Sequence, residues 1–119
     1  MKLGKKISGG RYIKSRKKKL YELPGKKRIV RLGEEKKKTV KTRGGNKKTF
    51  LFKAKMINLM ISGKMKRTEI KNVIETPSDR FLARQNVLTK GTIVETDLGK
   101  AKVTNRPGQE GSVNGILIK

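Results

Sequence analysis

Arg43-Gly44-Gly45-Asn46 sets two adjacent glycines between a guanidinium and a carboxamide, with Lys41 before it and Lys47 and Lys48 after it. Two consecutive glycines can turn successive main-chain N–H groups toward one anion, and nothing on Cβ holds a phosphate backbone at a distance. The chemistry on offer is phosphate binding. The plain alternative is a hairpin turn, because Gly-Gly or Gly-Asn between two strands is a common turn signal. The two readings are compatible, and the setting at the start of a β-rich stretch favours a turn that also serves as a cradle. Ser8-Gly9-Gly10-Arg11 repeats the pairing of glycines with a guanidinium, with ordinary linker as its alternative.

Basic clusters surround these glycines: Lys5-Lys6, Lys14, Arg16-Lys17-Lys18-Lys19, Lys26-Lys27-Arg28, Arg31 and Lys36-Lys37-Lys38. One such cluster alone reads equally as a targeting signal or as solvated charge. Several in one half of a chain repel one another, and a polyanion relieves that repulsion. Glu34-Glu35 is a pair of adjacent carboxylates, but beside three lysines it reads as internal counter-charge rather than an acid–base pair. The chain has no Cys and no His, which removes disulfides, thiol nucleophiles, Cys/His zinc sites and imidazole catalysis. No enzyme activity, cofactor, metal or small-molecule substrate is expected.

The elements that would carry these residues divide in two. The 119 residues hold 33 Lys and Arg against 9 acids, a formal net charge of +24. Residues 1–55 hold 22 of the cations and 3 of the acids, so the front is strongly basic and the back ordinary. Nucleic acid and anionic membrane surfaces are both partners of the right sign. No apolar run approaches the length of a bilayer span, and no secretory pattern is present. Over residues 1–38 apolar side chains are isolated and glycines interrupt any period. That segment is expected to be an extended arm, too poor in apolar surface to order itself without its partner.

Residues 39–119 read as an all-β domain, a small six-stranded barrel. "KTVKTR" (38–43), "KTFLFKAKMI" (48–57), "TEIKNVIET" (68–76), "GTIVET", "KAKVTN" and "GSVNGILI" are short β-prone runs separated by turn residues. In the second, Phe50, Phe52, Ala54 and Met56 alternate with Lys53 and Lys55, which places the phenylalanines on the inner face. Ser62-Gly63-Lys64 reads as a hairpin turn, Arg106-Pro107-Gly108-Gln109 as a plain turn, and residues 79–87 as the one potential helix. With three Phe, two Tyr and no Trp the core is expected to be aliphatic. The same scarcity argues against base stacking as the main binding mode, leaving Tyr12, Tyr21 and Phe81 as loose candidates. No amphipathic recognition helix is found either. What remains is contact with folded phosphate backbone, with Lys53, Lys55, Arg80 and Arg84 contributing from the barrel edge.

A series of motifs resembles a known family: Ser8-Gly9-Gly10-Arg11, the basic run leading to Tyr21-Glu22-Leu23, Arg43-Gly44-Gly45-Asn46, Thr89-Lys90-Gly91 with Glu95-Thr96, Leu98-Gly99-Lys100-Ala101, and Arg106-Pro107-Gly108-Gln109 with Val113-Asn114. In order and spacing they are similar to the archaeal form of the small-subunit ribosomal protein S8e (eS8) family, almost end to end. Pro24-Gly25 stands where a lone glycine is more usual, and the stretch before Ser8 is short. The resemblance implies a structural, non-enzymatic protein of the 30S subunit: a barrel and a basic arm bound to 16S ribosomal RNA, beside neighbouring small-subunit proteins and away from membranes. Two other classes remain open from the residues alone. A free architectural protein coating DNA would bind duplexes of any sequence. A membrane-active cationic protein would need a basic amphipathic helix, against which the arm's glycines and Pro24 argue.

Overall fold

The computed structural model describes residues 4–118; Met1–Leu3, where the expected arm begins, lie outside the described residues. The first three strands form a sheet of their own. Strand β1 (Arg31–Leu32), β2 (Lys36–Lys41) and β3 (Lys47–Ala54) lie in the order β1-β3-β2. β2 and β3 are an antiparallel hairpin running from Lys37 opposite Leu51 to Lys41 opposite Lys47. β1 runs parallel to β3 on its other edge, with Arg31 opposite Lys53.

The run expected as one strand over 48–57 is two strands, because the chain leaves this sheet at Lys55 and enters the barrel as β4 (Met56–Ile61). The expected inner face also changes. Phe50 and Ala54 are buried as anticipated, but Phe52 is 36% exposed and Leu51 is buried in its place. The cause is a bulge: Lys36 pairs with Lys53 and Lys37 with Leu51, leaving Phe52 as the extra residue. A bulge interrupts the period of two, so Leu51 and Ala54, three apart, both reach the core.

Strands β4, β5 (Lys64–Glu75), β6 (Ile93–Thr96), β7 (Gly99–Val103) and β8 (Asn114–Leu117) close into a barrel in sequence order. Neighbours are antiparallel except at the seam, where β4 and β8 run parallel. Five strands close the barrel rather than six. With β5 on one side and β8 on the other, β4 has no free edge for β3 to join. The β4–β5 turn is Ser62-Gly63, with φ of 47° and 81°, the left-handed pair that a two-residue hairpin loop requires.

Alternation fills the interior with the aliphatic side chains the composition implied. Ile57 and Leu59 of β4, Ile70 and Val73 of β5, Val94 of β6 and Ala101 and Val103 of β7 all point inward, with the threonines Thr68 and Thr96 among them. Space is tightest at Gly115 of β8, where an added Cβ would lie 2.9 Å from both Ile57 Cδ1 and the Lys102 carbonyl oxygen. Helix α1 (Arg80–Arg84) falls inside the stretch expected to be helical, started by Asp79, whose carboxylate accepts from Phe81 N–H at 2.9 Å.

The sheet and barrel share one core through the chain at positions 30–32. Val30 is 1% exposed, its carbonyl accepts from Leu88 N–H at 2.8 Å, and Leu32 N–H donates to Asn86 at 2.9 Å. Before Val30, every described residue is exposed. The principal extents of 66 × 35 × 29 Å and a radius of gyration of 20.7 Å, against about 13.5 Å for a compact chain of this length, show this segment reaching away from the body.

Candidate nucleic-acid interface

The tip of the arm is a small loop. Lys5 and Arg11 form an antiparallel bridge, Lys6 N–H donates to the Gly10 carbonyl at 2.7 Å, and Gly9 N–H donates to the Lys6 carbonyl at 2.9 Å. Gly9 has a φ of 81°, so one glycine of the pair is required by the turn itself. The loop gathers Lys5, Lys6 and Arg11, with the Lys6 ammonium 5.7 Å from the Tyr12 ring centroid.

Further along, the Arg16 guanidinium holds Glu22 in a fork at 2.8 and 2.5 Å, and Lys19 N–H donates to the same carboxylate at 3.0 Å. These bonds close a single 3-10 turn at Leu20–Glu22. The guanidinium holds the Glu22 carboxyl below the usual carboxylate range, and the carboxylate in turn raises Arg16. Arg16 is therefore neutralised within the arm, whereas Lys14, Lys17, Lys18 and Lys19 form no ion pair among the described residues.

Arg43, Gly44, Gly45 and Asn46 make the connection between β2 and β3. Thr42 donates twice to the Asn46 carbonyl, from N–H at 2.7 Å and from Oγ1 at 2.9 Å, which draws the loop shut. Gly44 and Gly45 have φ of 78° and 79°, a conformation L side chains rarely adopt. The turn half of the expectation is thus a local requirement of the backbone. Lys41, Arg43, Lys47 and Lys48 stand around it, all exposed.

Folding brings other candidates together in groups. Arg31, Lys36 and Lys53 rim a hollow of about 270 Å³ floored by Ile29 and Phe52. Lys53, expected on the barrel edge, sits instead in the sheet. Arg28 and Lys48 border a second hollow with Val40 and Phe50, and the Arg28 guanidinium lies over the Phe50 ring. Arg80 and Arg84 project from α1 on either side of Phe81, 5.5 and 6.0 Å from its centroid, into a groove lined by Asn72 and Asn86. Lys38 is exposed on β2. Lys37 is salt-bridged to Glu35, which also takes Arg67 at 3.4 Å and is held below its ordinary pKa chiefly by Lys37. Lys55 is held by Glu69 at 2.7 Å, which raises its pKa and occupies its charge.

The largest grouping joins Lys26, Lys27 and Arg28 to Lys90 and Arg106 around a cleft of about 710 Å³. The last two stood outside the set read from the sequence. Neither has a basic neighbour along the chain, so clustering of charge passes over them, and only folding sets them beside positions 26–28. The loop carrying Arg106 is also more than a turn: Pro107 is fully buried, and its carbonyl accepts from Leu51 N–H at 3.2 Å.

The family model described as ribosomal protein S8e matches residues 2–118. The chain is 44% identical to the small ribosomal subunit protein eS8 of Nanoarchaeum equitans over 95% of its length and 91% of that protein. Identity is 43% to the protein of the same name from Staphylothermus marinus, covering 97% and 92%, and 38% to that of Methanosarcina barkeri, covering 97% and 94%. The order of motifs, the all-β body with its basic arm, and these matches agree: the chain belongs to the ribosomal protein S8e family.

Proposed function

We propose that the protein is a structural constituent of the small ribosomal subunit, acting in the cytoplasm, where it binds and stabilises folded 16S ribosomal RNA through phosphate contacts and meets neighbouring small-subunit proteins. The observation that carries this reading is the state of the candidate cations. All of them are exposed, and among the described residues only Arg16, Lys37 and Lys55 are engaged by a carboxylate. So many unneutralised charges on one chain find their natural complement in a polyanion.

The arm threads between RNA helices, where its Lys and Arg neutralise phosphates that otherwise repel one another, and the body anchors it. Gly9-Gly10 and Gly44-Gly45 present their backbone to phosphates without side-chain hindrance. Binding of this kind releases condensed counterions, so affinity falls steeply with salt. The test is a competition at several salt concentrations between archaeal small-subunit ribosomal RNA and duplex DNA of matched length. Preference for the RNA with a steep salt slope supports the reading. Equal binding to both would favour a free architectural protein.

A further inference from the structure

The cleft of about 710 Å³ is a composite. One wall is the root of the arm, carrying Lys26, Lys27 and Arg28; the other is two loops of the body, carrying Lys90 and Arg106. Among the described residues no carboxylate lines it. The two nearest in sequence are engaged elsewhere: Asp79 caps α1, and Glu110 accepts from Asn105 Nδ2 at 2.8 Å. The walls approach closely at Gly108, where an added Cβ would stand 3.1 Å from the Arg28 carbonyl oxygen. The cations are thus held opposite one another by packed backbone, at a cost in mutual repulsion that only an anion entering the cleft removes.

We propose that this cleft receives a segment of RNA backbone, and that it exists only while the arm root lies against the Arg106–Gln109 loop, so that gripping the phosphates and fixing the direction of the arm are one event. The proposal rests on the RNA-binding reading above. It adds that the body takes hold of RNA at a site whose second wall the arm itself supplies. A phosphodiester strand is the occupant that fits: it offers a row of single negative charges to the cations on both walls. RNA in the cleft holds both walls, so losing one wall's cation weakens the hold of the other.

The experiment measures affinity and salt slope for an archaeal small-subunit ribosomal RNA transcript with the full chain and with Lys27→Ala, Lys90→Ala, Arg106→Ala and the double variant Lys27→Ala/Arg106→Ala. Lys90 and Arg106 are exposed, and equal melting temperatures confirm that folding is unaffected. Each single change is expected to weaken binding about three- to tenfold and to lower the salt slope by about 0.7–0.9. The double variant is expected to lose clearly less than the product of the single losses. Lys17→Ala/Lys18→Ala, far from the cleft along the arm, weakens binding independently of Arg106→Ala. Unchanged affinity and slope for Lys90→Ala and Arg106→Ala, with Lys17→Ala/Lys18→Ala still weakened, overturns the cleft alone. Multiplicative losses across the two walls overturn the coupling. A defect seen only in assembled subunits and not with RNA alone assigns the cleft to a protein neighbour and also overturns it. If the unaltered chain fails to bind the transcript at low salt, the functional reading itself falls.

Discussion

Arg28 stands over Phe50 with its guanidinium carbon 3.9 Å from the ring centroid. The first belongs to the arm and the second to β3, so this stack marks where the arm meets the body. Phe50 is 5% exposed, and the guanidinium forms part of its cover. Stacking of this kind, partly shielded from water, contributes about 0.5–2 kcal/mol. Arg28→Ala is expected to lower stability by that amount, seen as a reduced midpoint of urea unfolding. Arg28→Lys should restore only part of it, since an ammonium lacks the planar face. Full restoration by lysine would show that charge alone matters there.

Truncation should separate the arm from the body at Val30 rather than further along. Removing residues 1–25 leaves Val30, β1 and the cations of the cleft in place, so the remainder is expected to melt within a few degrees of the full chain while its affinity for ribosomal RNA and its salt slope fall sharply. Removing residues 1–38 strips the buried Val30, its bond from Leu88 N–H and half of β2. That fragment should be markedly less stable. Calorimetry on the two fragments checks this, and equal melting would place the boundary at 38.

Gly115→Ala is expected to destabilise the barrel by about 1–3 kcal/mol, the usual cost of overpacking. Its Cβ meets the Lys102 carbonyl oxygen and Ile57 Cδ1, both at 2.9 Å, and the former is backbone that cannot step aside. Thermal unfolding should shift down by about 4–8 °C per kcal/mol. Gly91→Ser is a useful contrast, because open space surrounds that site and only its φ of +88° resists a side chain.

At Gly44 two substitutions distinguish the turn from the cradle. Alanine there is strained by about 1–2 kcal/mol at a φ of 78°, whereas asparagine accepts that conformation more readily. If the loop cradles phosphate, Gly44→Asn should keep the β2–β3 hairpin intact by NMR while weakening RNA binding, since it adds a side chain where the RNA approaches. Retained affinity with an intact hairpin would leave the motif a turn and nothing more.

The Arg16–Glu22 pair gives the arm a measurable acid response. Glu22 titrates below the ordinary glutamate value of about 4.3 because Arg16 and Lys19 N–H favour its charged form. A lowered carboxyl pKa stabilises the turn fully above the ordinary value and is lost as pH falls through the lowered one. The Lys19 amide resonance should therefore move with a midpoint below the ordinary glutamate value, and Glu22→Gln should abolish the movement. A midpoint at or above the ordinary value would show that the pair does not form. Because both groups face solvent, added salt should weaken the effect.

Much of this was legible along the chain because its signals are local. The Ser62-Gly63 turn, the three short strands near the carboxyl terminus and the helical stretch beginning at Asp79 each carry their own residues for turn, alternation or cap. The runs of lysine and the double glycines could be read in the same way. What escaped reading depended on partners distant in sequence. The bulge at Phe52 comes from how β2 pairs with β3, and it reverses which of Leu51 and Phe52 faces the core. The division of 48–57 between sheet and barrel follows from closure between β4 and β8, which are more than fifty residues apart. Lys90 and Arg106 are ordinary loop residues until the arm root lies across from them.

Strand β2 also bears on the protein's life before it meets RNA. It is the outer strand of its sheet, exposed at every one of its six residues, and its far edge pairs with nothing among the described residues. An open strand edge invites a second chain to add itself, which begins aggregation. Lys36, Lys37, Lys38 and Lys41 make that addition unfavourable, because two such edges brought together would set like charges opposite one another. The residues suited to neutralising phosphate thereby act as a guard, keeping newly made copies apart until a polyanion is there to meet them.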